Sequence, residues 1–272
     1  MIPLLLACSQ PDPVQIGVKP FTEQRVLSQL LAEQLRAEGH VVEEPVEVLD
    51  TWDAHARLAS GELDLIVEYE GTAATLLGVE VNAELPGLYA QRGFTWGPDL
   101  GFDNGYRVFV TADRARREQL LGLSDLAGQS LRVASPPEFV QRGADGLGPM
   151  TRRYGLILEG EPLQLADPAE RYDLLVDGAA DLAIGYATDG TLSSRPLVAL
   201  QDDLDFFGPY GAFVLLGPSA PEDLAGDLEP LRGALDEARM QALVHQVEVQ
   251  GYSPRSAASA WRAEQGLATS VA

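Results

Sequence analysis

Four of the eight tyrosines stand at the ends of segments that read as strands. Tyr69 follows Leu63-Asp64-Leu65-Ile66-Val67, and Tyr106 opens Tyr106-Arg107-Val108-Phe109-Val110. Tyr186 ends Asp181-Leu182-Ala183-Ile184-Gly185-Tyr186, and Tyr210 lies in Phe206-Phe207-Gly208-Pro209-Tyr210-Gly211. A ring so placed is either a half-buried amphipath or a ligand contact, and spacing alone favours the first. Other chemistry is sparse. His40, His55 and His245 lack partners at metal-ligand or base–nucleophile spacing and read as surface residues. The chain holds no GxSxG elbow, no HExxH, no GxxxxGK and no GxGxxG opening a helix, so hydrolase and phosphate-cradling chemistry have nothing to rest on. Asp202-Asp203-Leu204-Asp205 lacks the glycine and distal glutamate of a calcium loop and reads as solvated.

The elements that would position the tyrosines alternate. Residues 14–18 read as a strand; Val26, Leu27, Leu30, Leu31 and Leu35 follow at helical spacing, with Thr22 as N-cap and Gly39 as stop. A strand at about 41–48, a helix at 52–58 and a strand at 63–67 complete a β-α-β-α-β order, which predicts a parallel sheet with helices on its faces and ligands at the strands' carboxyl ends. After a loop-rich stretch, 84–105, a second set runs from 106 to 186, and residues 212–216 form a further strand. The last third is helical, with Ser253 capping a helix that starts at Pro254 and carries Ala257, Ala258 and Trp261 on one face. Two sets predict two α/β lobes, 14–105 plus 211–272 and 106–210, joined by crossings near Gly105 and Gly211.

Lys and Arg total 19 against 41 for Asp and Glu, and the resulting net charge of −22 argues against nucleic-acid and anionic-lipid partners. The apolar content of 46% supports a packed core. A single cysteine, Cys8, excludes an intramolecular disulfide and a thiolate metal cluster. It ends Leu4-Leu5-Leu6-Ala7-Cys8 and precedes the polar, proline-broken Ser9-Gln10-Pro11-Asp12-Pro13. That order resembles a bacterial lipoprotein signal lacking its front part, so residues 1–13 read as residual signal and tether with Cys8 as the lipidation site. No other segment reaches the roughly 18 apolar residues of a membrane span.

Five stretches, in order, resemble the substrate-binding proteins of osmoprotectant ABC importers, which carry glycine betaine, carnitine or choline. Gly17-Val18-Lys19-Pro20-Phe21-Thr22-Glu23-Gln24 is similar to the family's first-strand signature, and Gly61-Glu62-Leu63-Asp64 with Glu68-Tyr69-Glu70-Gly71-Thr72 to its second element. Glu138-Phe139-Val140-Gln141-Arg142 with Asp145-Gly146-Leu147, then Tyr186-Ala187-Thr188-Asp189-Gly190, then Leu200-Gln201-Asp202-Asp203 with Phe206-Phe207-Gly208-Pro209-Tyr210 follow the rest. The resemblance covers about residues 14–260. It implies a two-lobed type II periplasmic-binding-protein fold, α/β in each lobe, and a monomer outside the cytoplasmic membrane that hands its ligand to an ABC permease.

By the same resemblance, Tyr69, Tyr106, Tyr186 and Tyr210 form an aromatic box around a trimethylammonium head, which has no N–H to donate and is held by ring faces. Lys19, Thr72 and Arg142 meet the ligand carboxylate, and Asn104 offers its backbone carbonyl toward the methyl groups. Threonine at position 72 favours betaines over choline. No cofactor, metal or catalytic residue is implied, and a transferase on this fold would need a cleft cysteine that Cys8 cannot supply. Three departures stand out: Glu70 in place of the family's threonine, which would add negative charge near the box; Gly208 in place of proline; and an extra residue at Gly143-Ala144.

Overall fold

A computed structural model describes residues 12–143 and 145–267, which leaves Cys8 and most of the tether outside the described residues. Short buried strands and amphipathic helices alternate from the first described turn. β1 (Ile16–Val18), β2 (Val46–Glu47), β3 (Leu65–Tyr69) and β4 (Thr95–Asp103) combine with β12 (Gly211–Leu216) into one sheet ordered β2-β1-β3-β12-β4. The β1 pairings to β2 and β3 are parallel, whereas β12 runs antiparallel to β3 and β4. β5 (Tyr106–Thr111), β7 (Val133–Ser135), β9 (Leu163–Gln164), β10 (Leu182–Tyr186) and β11 (Leu197–Ala199) form the second sheet, ordered β11-β5-β10-β7-β9. A small parallel pair, β6 (Ser130–Leu131) with β8 (Ile157–Leu158), lies apart from both.

Helices α1 (Thr22–Ala37), α2 (Thr51–Ser60), α3 (Glu70–Leu77) and α4 (Leu85–Ala90) attend the first sheet. Helices α5 (Ala112–Glu118), α6 (Pro137–Gln141), α7 (Leu147–Tyr154) and α8 (Pro168–Val176) attend the second. α9 (Leu224–Asp227), α10 (Glu237–Glu248) and α11 (Pro254–Glu264) return to the first: Met240, Leu243, Val244, Ala257, Ala258 and Trp261 join Ile16, Leu27, Leu30 and Leu65 in one core cluster. A second cluster, built around Leu58, Ile66, Tyr89 and Phe213, fills the other face. Burying both faces of a sheet explains why β3 opens on three successive apolar residues, Leu65-Ile66-Val67. The chain passes between the sheets at Asp103–Tyr106 and again before Gly211, where Gly211 pairs with Asp103.

Three expectations are corrected. Thr22 is the first helical residue of α1 and Phe21 occupies the cap in extended conformation without a side-chain bond, so its ring is free to turn toward Tyr69. The loop expected over 84–105 contains α4 and the nine-residue β4, whose Gly97, Pro98 and Gly101 disguise an edge strand paired irregularly with β12. The expected 41–48 strand contracts to Val46–Glu47 and one bridge at Val42. Gly39, at φ +100°, lies just past the C-cap Glu38, where only a left-handed residue fits comfortably.

Candidate functional site

A cavity of about 550 Å³ is lined from both halves of the molecule. Tyr69 reaches it from the end of β3, Lys19 from the turn between β1 and α1, and Thr72 from the first turn of α3. Tyr106 and Tyr186 come from adjacent strands of the second sheet, where they pair directly across β5 and β10. Asn104 and Tyr210 come from the two crossings, and Arg142 from the residue after α6. All eight residues singled out in the sequence therefore line one space.

The rings do not form four open walls. Tyr106 and Tyr186 stack with centroids 4.6 Å apart, planes inclined by 28° and hydroxyls 2.9 Å apart, which leaves no room for a methylammonium between them. Tyr69 lies beside Phe21 at 6.4 Å, with Lys19 Nζ 5.3 Å from its centroid. Tyr210 rests against the backbone of Gly71: a Cβ there would come within 2.6 Å of its ring. Burial raises all four phenols above their ordinary range, to about 12 at Tyr106, so the rings stay neutral at physiological pH.

Both expected carboxylate-binding cations carry protein partners. Lys19 Nζ donates to Glu68 Oε1 at 2.5 Å, and this pair is buried. Burial opposes ionisation of Glu68, yet Lys19 and His55, the latter at 2.9 Å, hold its carboxyl below the usual range. Arg142 is paired with Asp145, donates to Tyr210 Oη at 2.8 Å and lies 5.7 Å from the Tyr106 centroid. Glu70 is not among the cavity-lining residues; its carboxylate lies against Gly211, the residue after Tyr210, with Asp99 and Asp103 nearby. His40 and His55 are largely buried and partnered, by Asp227 and Glu68, rather than surface residues. In the acidic loop, Asp202 accepts from Tyr154 and from the Phe206 and Phe207 amides, so it braces the loop instead of facing water.

Residues missed in the sequence also line the cavity. Glu23 accepts from the Tyr69 hydroxyl and from Asn104 Nδ2 (3.1 Å), and it touches the Thr188 hydroxyl on the other half. Glu138 lies 3.3 Å from the Tyr186 hydroxyl. Arg171 is buried, donates to the Leu165 and Ala166 carbonyls at 2.8 Å, and stands 3.6 Å from Asp189. Glu23, Glu138 and Asp189 lie inside the matching motifs, but nothing in their spacing distinguishes them from the many other acids.

The sequence model of the substrate binding domain of ABC-type glycine betaine transport systems matches residues 12–264. The chain belongs to that family. A glycine-betaine-binding protein of Pseudomonas aeruginosa is 29% identical, over 97% of this chain and 94% of its own length. The carnitine transport binding protein OpuCC of Listeria monocytogenes is 27% identical, over 89% of this chain and 83% of its own. Among solved structures, a glycine betaine/carnitine/choline ABC transporter superposes with TM-score 0.83 at 26% identity, covering 93% of this chain and 98% of that one. Apo YehZ of Escherichia coli superposes at 0.78 and 25% identity, covering 94% and 99%. The architecture is thus the two-lobed type II binding-protein fold, and the family is one of extracytoplasmic substrate-binding proteins rather than enzymes. Among the described residues no helix is long and apolar enough to cross a membrane.

Proposed function

We propose that this protein captures a quaternary-ammonium solute, glycine betaine, carnitine or a similar betaine, and delivers it to the permease of an ABC importer without catalysing a reaction. The observation that carries this reading is the convergence of Tyr69, Tyr106, Tyr186 and Tyr210 from both halves on one cavity. The ligand's methyl groups lie on the cavity faces of the rings, each desolvated contact contributing about 1–2 kcal/mol, and the Asn104 carbonyl adds its dipole. Thr72 and Arg142 receive the carboxylate by hydrogen bonds, with Lys19 adding positive field. Residues 14–105 with 211–272, and 106–210, move as the two lobes, and a ligand touching both favours the closed state by its differential affinity. The protein acts as a monomer outside the cytoplasmic membrane, anchored through a lipid on Cys8.

Tyr186→Ala weakens glycine betaine binding about 5- to 30-fold in calorimetric titration; an unchanged affinity would remove the ring from the site. Choline is the second reading. Lys19 and Arg142 are already ion-paired, while Glu138 meets a tyrosine hydroxyl rather than Arg142. A thermal-shift series over betaine, carnitine, choline, ectoine and proline separates the two, because a carboxylate-free cation raises the melting temperature most only if the acids dominate.

A further inference from the structure

Glu23 is buried in the wall between the halves, and the donors and acceptors around it can be counted. Its Oε1 faces the Tyr69 hydroxyl and Asn104 Nδ2; its Oε2 faces Thr188 Oγ1. Thr188 Oγ1 also lies 2.7 Å from Asn104 Oδ1. The threonine hydroxyl has one proton, yet two acceptor oxygens are within its reach. With an ionised carboxylate, one of those contacts is lone pair against lone pair. Turning the Asn104 amide over does not help: its nitrogen then serves Thr188, but its oxygen meets Glu23 Oε1 instead. In either orientation the ring is short by one proton, and a proton on Glu23 supplies it.

We propose that Glu23 is a proton-carrying positioning residue, whose neutral carboxyl closes a hydrogen-bonded ring with Thr188 and Asn104 that fastens the two halves and holds Tyr69 at the cavity wall. The surroundings favour the neutral form. Tyr69 faces it from the end of β3, Asp189 from the segment after β10, and Glu248 of α10 stands nearby against Thr22, while Lys19 and Arg171 are engaged by Glu68 and Asp189. Burial pushes the Glu23 carboxyl up to about 7, against the hydrogen bonds from Thr188, Tyr69 and Asn104. Opening the halves hydrates the group and returns it toward the ordinary carboxyl range near 4.3. Closure therefore takes up a proton. The closed state is favoured progressively as pH falls from about 7 toward that range, and the gain is fully lost once pH has risen through about 7.

The test needs no ligand. With Cys8 replaced by serine, cysteines at Ser60 and Asp177, exposed on opposite halves, carry a donor–acceptor dye pair. The closed-to-open ratio falls about tenfold from pH 6 to pH 8 in the parent chain. Glu23→Gln, whose amide supplies the missing donor, stays closed and flat across that range, and Glu23→Ala shifts toward open at every pH. A parent profile that Glu23→Gln leaves unaltered, or a Glu23→Gln protein that resembles Glu23→Ala, overturns the proposal. A second arm, which rests on the ligand reading above, measures proton uptake on glycine betaine binding at pH 6.5 in buffers of different ionisation enthalpy. Uptake is expected in the parent and absent in Glu23→Gln, and equal uptake in both counts against the proposal. If no betaine binds, the ligand reading fails while the dye arm still decides the role of Glu23.

Discussion

Replacing Lys19 with methionine lowers the unfolding free energy by about 3–5 kcal/mol at pH 7, read by urea denaturation. Methionine keeps most of the side chain's bulk, so the loss comes from the charge left behind. Glu68 is fully buried, and its two oxygens serve Lys19 Nζ, His55 Nε2 and the Tyr69 amide. Without Lys19 the carboxylate keeps the cost of burial and loses its main compensation. Glu68→Gln in the same chain restores much of the stability, since it removes the stranded charge. The pH dependence follows from the depressed carboxyl of Glu68: in the parent its contribution is present above the unfolded value near 4.3 and is lost as pH falls below it. The deficit of Lys19→Met accordingly narrows as pH falls toward 4, because the buried Glu68 left without Lys19 takes up a proton at a higher pH than the depressed carboxyl of the parent. A deficit below about 1 kcal/mol, or one that stays constant from pH 7 to pH 4, would show that the pair is not the source of stability.

The parts of the fold that were legible in the sequence are those whose burial is local. β10 is an unbroken apolar run and β3 opens on Leu65-Ile66-Val67 because both faces are covered, and α1 shows its core stripe at Val26, Leu27, Leu30, Leu31 and Leu35. β4 was not legible, because its partner is β12, more than a hundred residues later, and its own composition is rich in glycine and proline. α3 was hidden for a different reason: it begins at Glu70 immediately after β3, so strand and helix share no separating loop. A period of two gives way to 3.6 without punctuation.

The site divides the same way. Rings at strand ends could be seen at Tyr69 and Tyr186 because the strands themselves could be seen. What the cations do could not. Lys19 and Glu68 are 49 residues apart, and only parallel pairing of β1 with β3 makes them neighbours. Arg142 has an acid on either side in the sequence, Glu138 and Asp145, and the turn after α6 brings back Asp145. Glu23 is one acid among 41 acidic residues, and its partners arrive from three separate segments, so only the folded chain reveals that it lacks a proton's worth of donors.

Gly71→Ala separates the site from the fold. The added methyl occupies space now filled by the Tyr210 ring, with Cε1 at 2.6 Å and Cζ at 2.7 Å. The backbone on either side has little freedom to yield: Tyr210 N donates to Asp103 Oδ2 at 2.6 Å, and its carbonyl accepts from Asn104 N at 3.1 Å. The ring is the free end, so it swings away from Gly71 and releases the Arg142 hydrogen bond that now reaches its hydroxyl. Stability changes by less than about 1 kcal/mol, because alanine is a better helix former than glycine in α3, which offsets the cost of turning the half-buried Tyr210 ring into the cavity. Affinity for glycine betaine falls by about 2–3 kcal/mol, roughly 30- to 150-fold, as one aromatic face and the Arg142 alignment are lost together. Tyr210→Ala alone costs a similar amount, and combining the two adds little, since both remove the same wall. Additive losses would place the effect of Gly71 elsewhere, and an unchanged affinity in Gly71→Ala would mean that the Tyr210 ring does not touch the ligand.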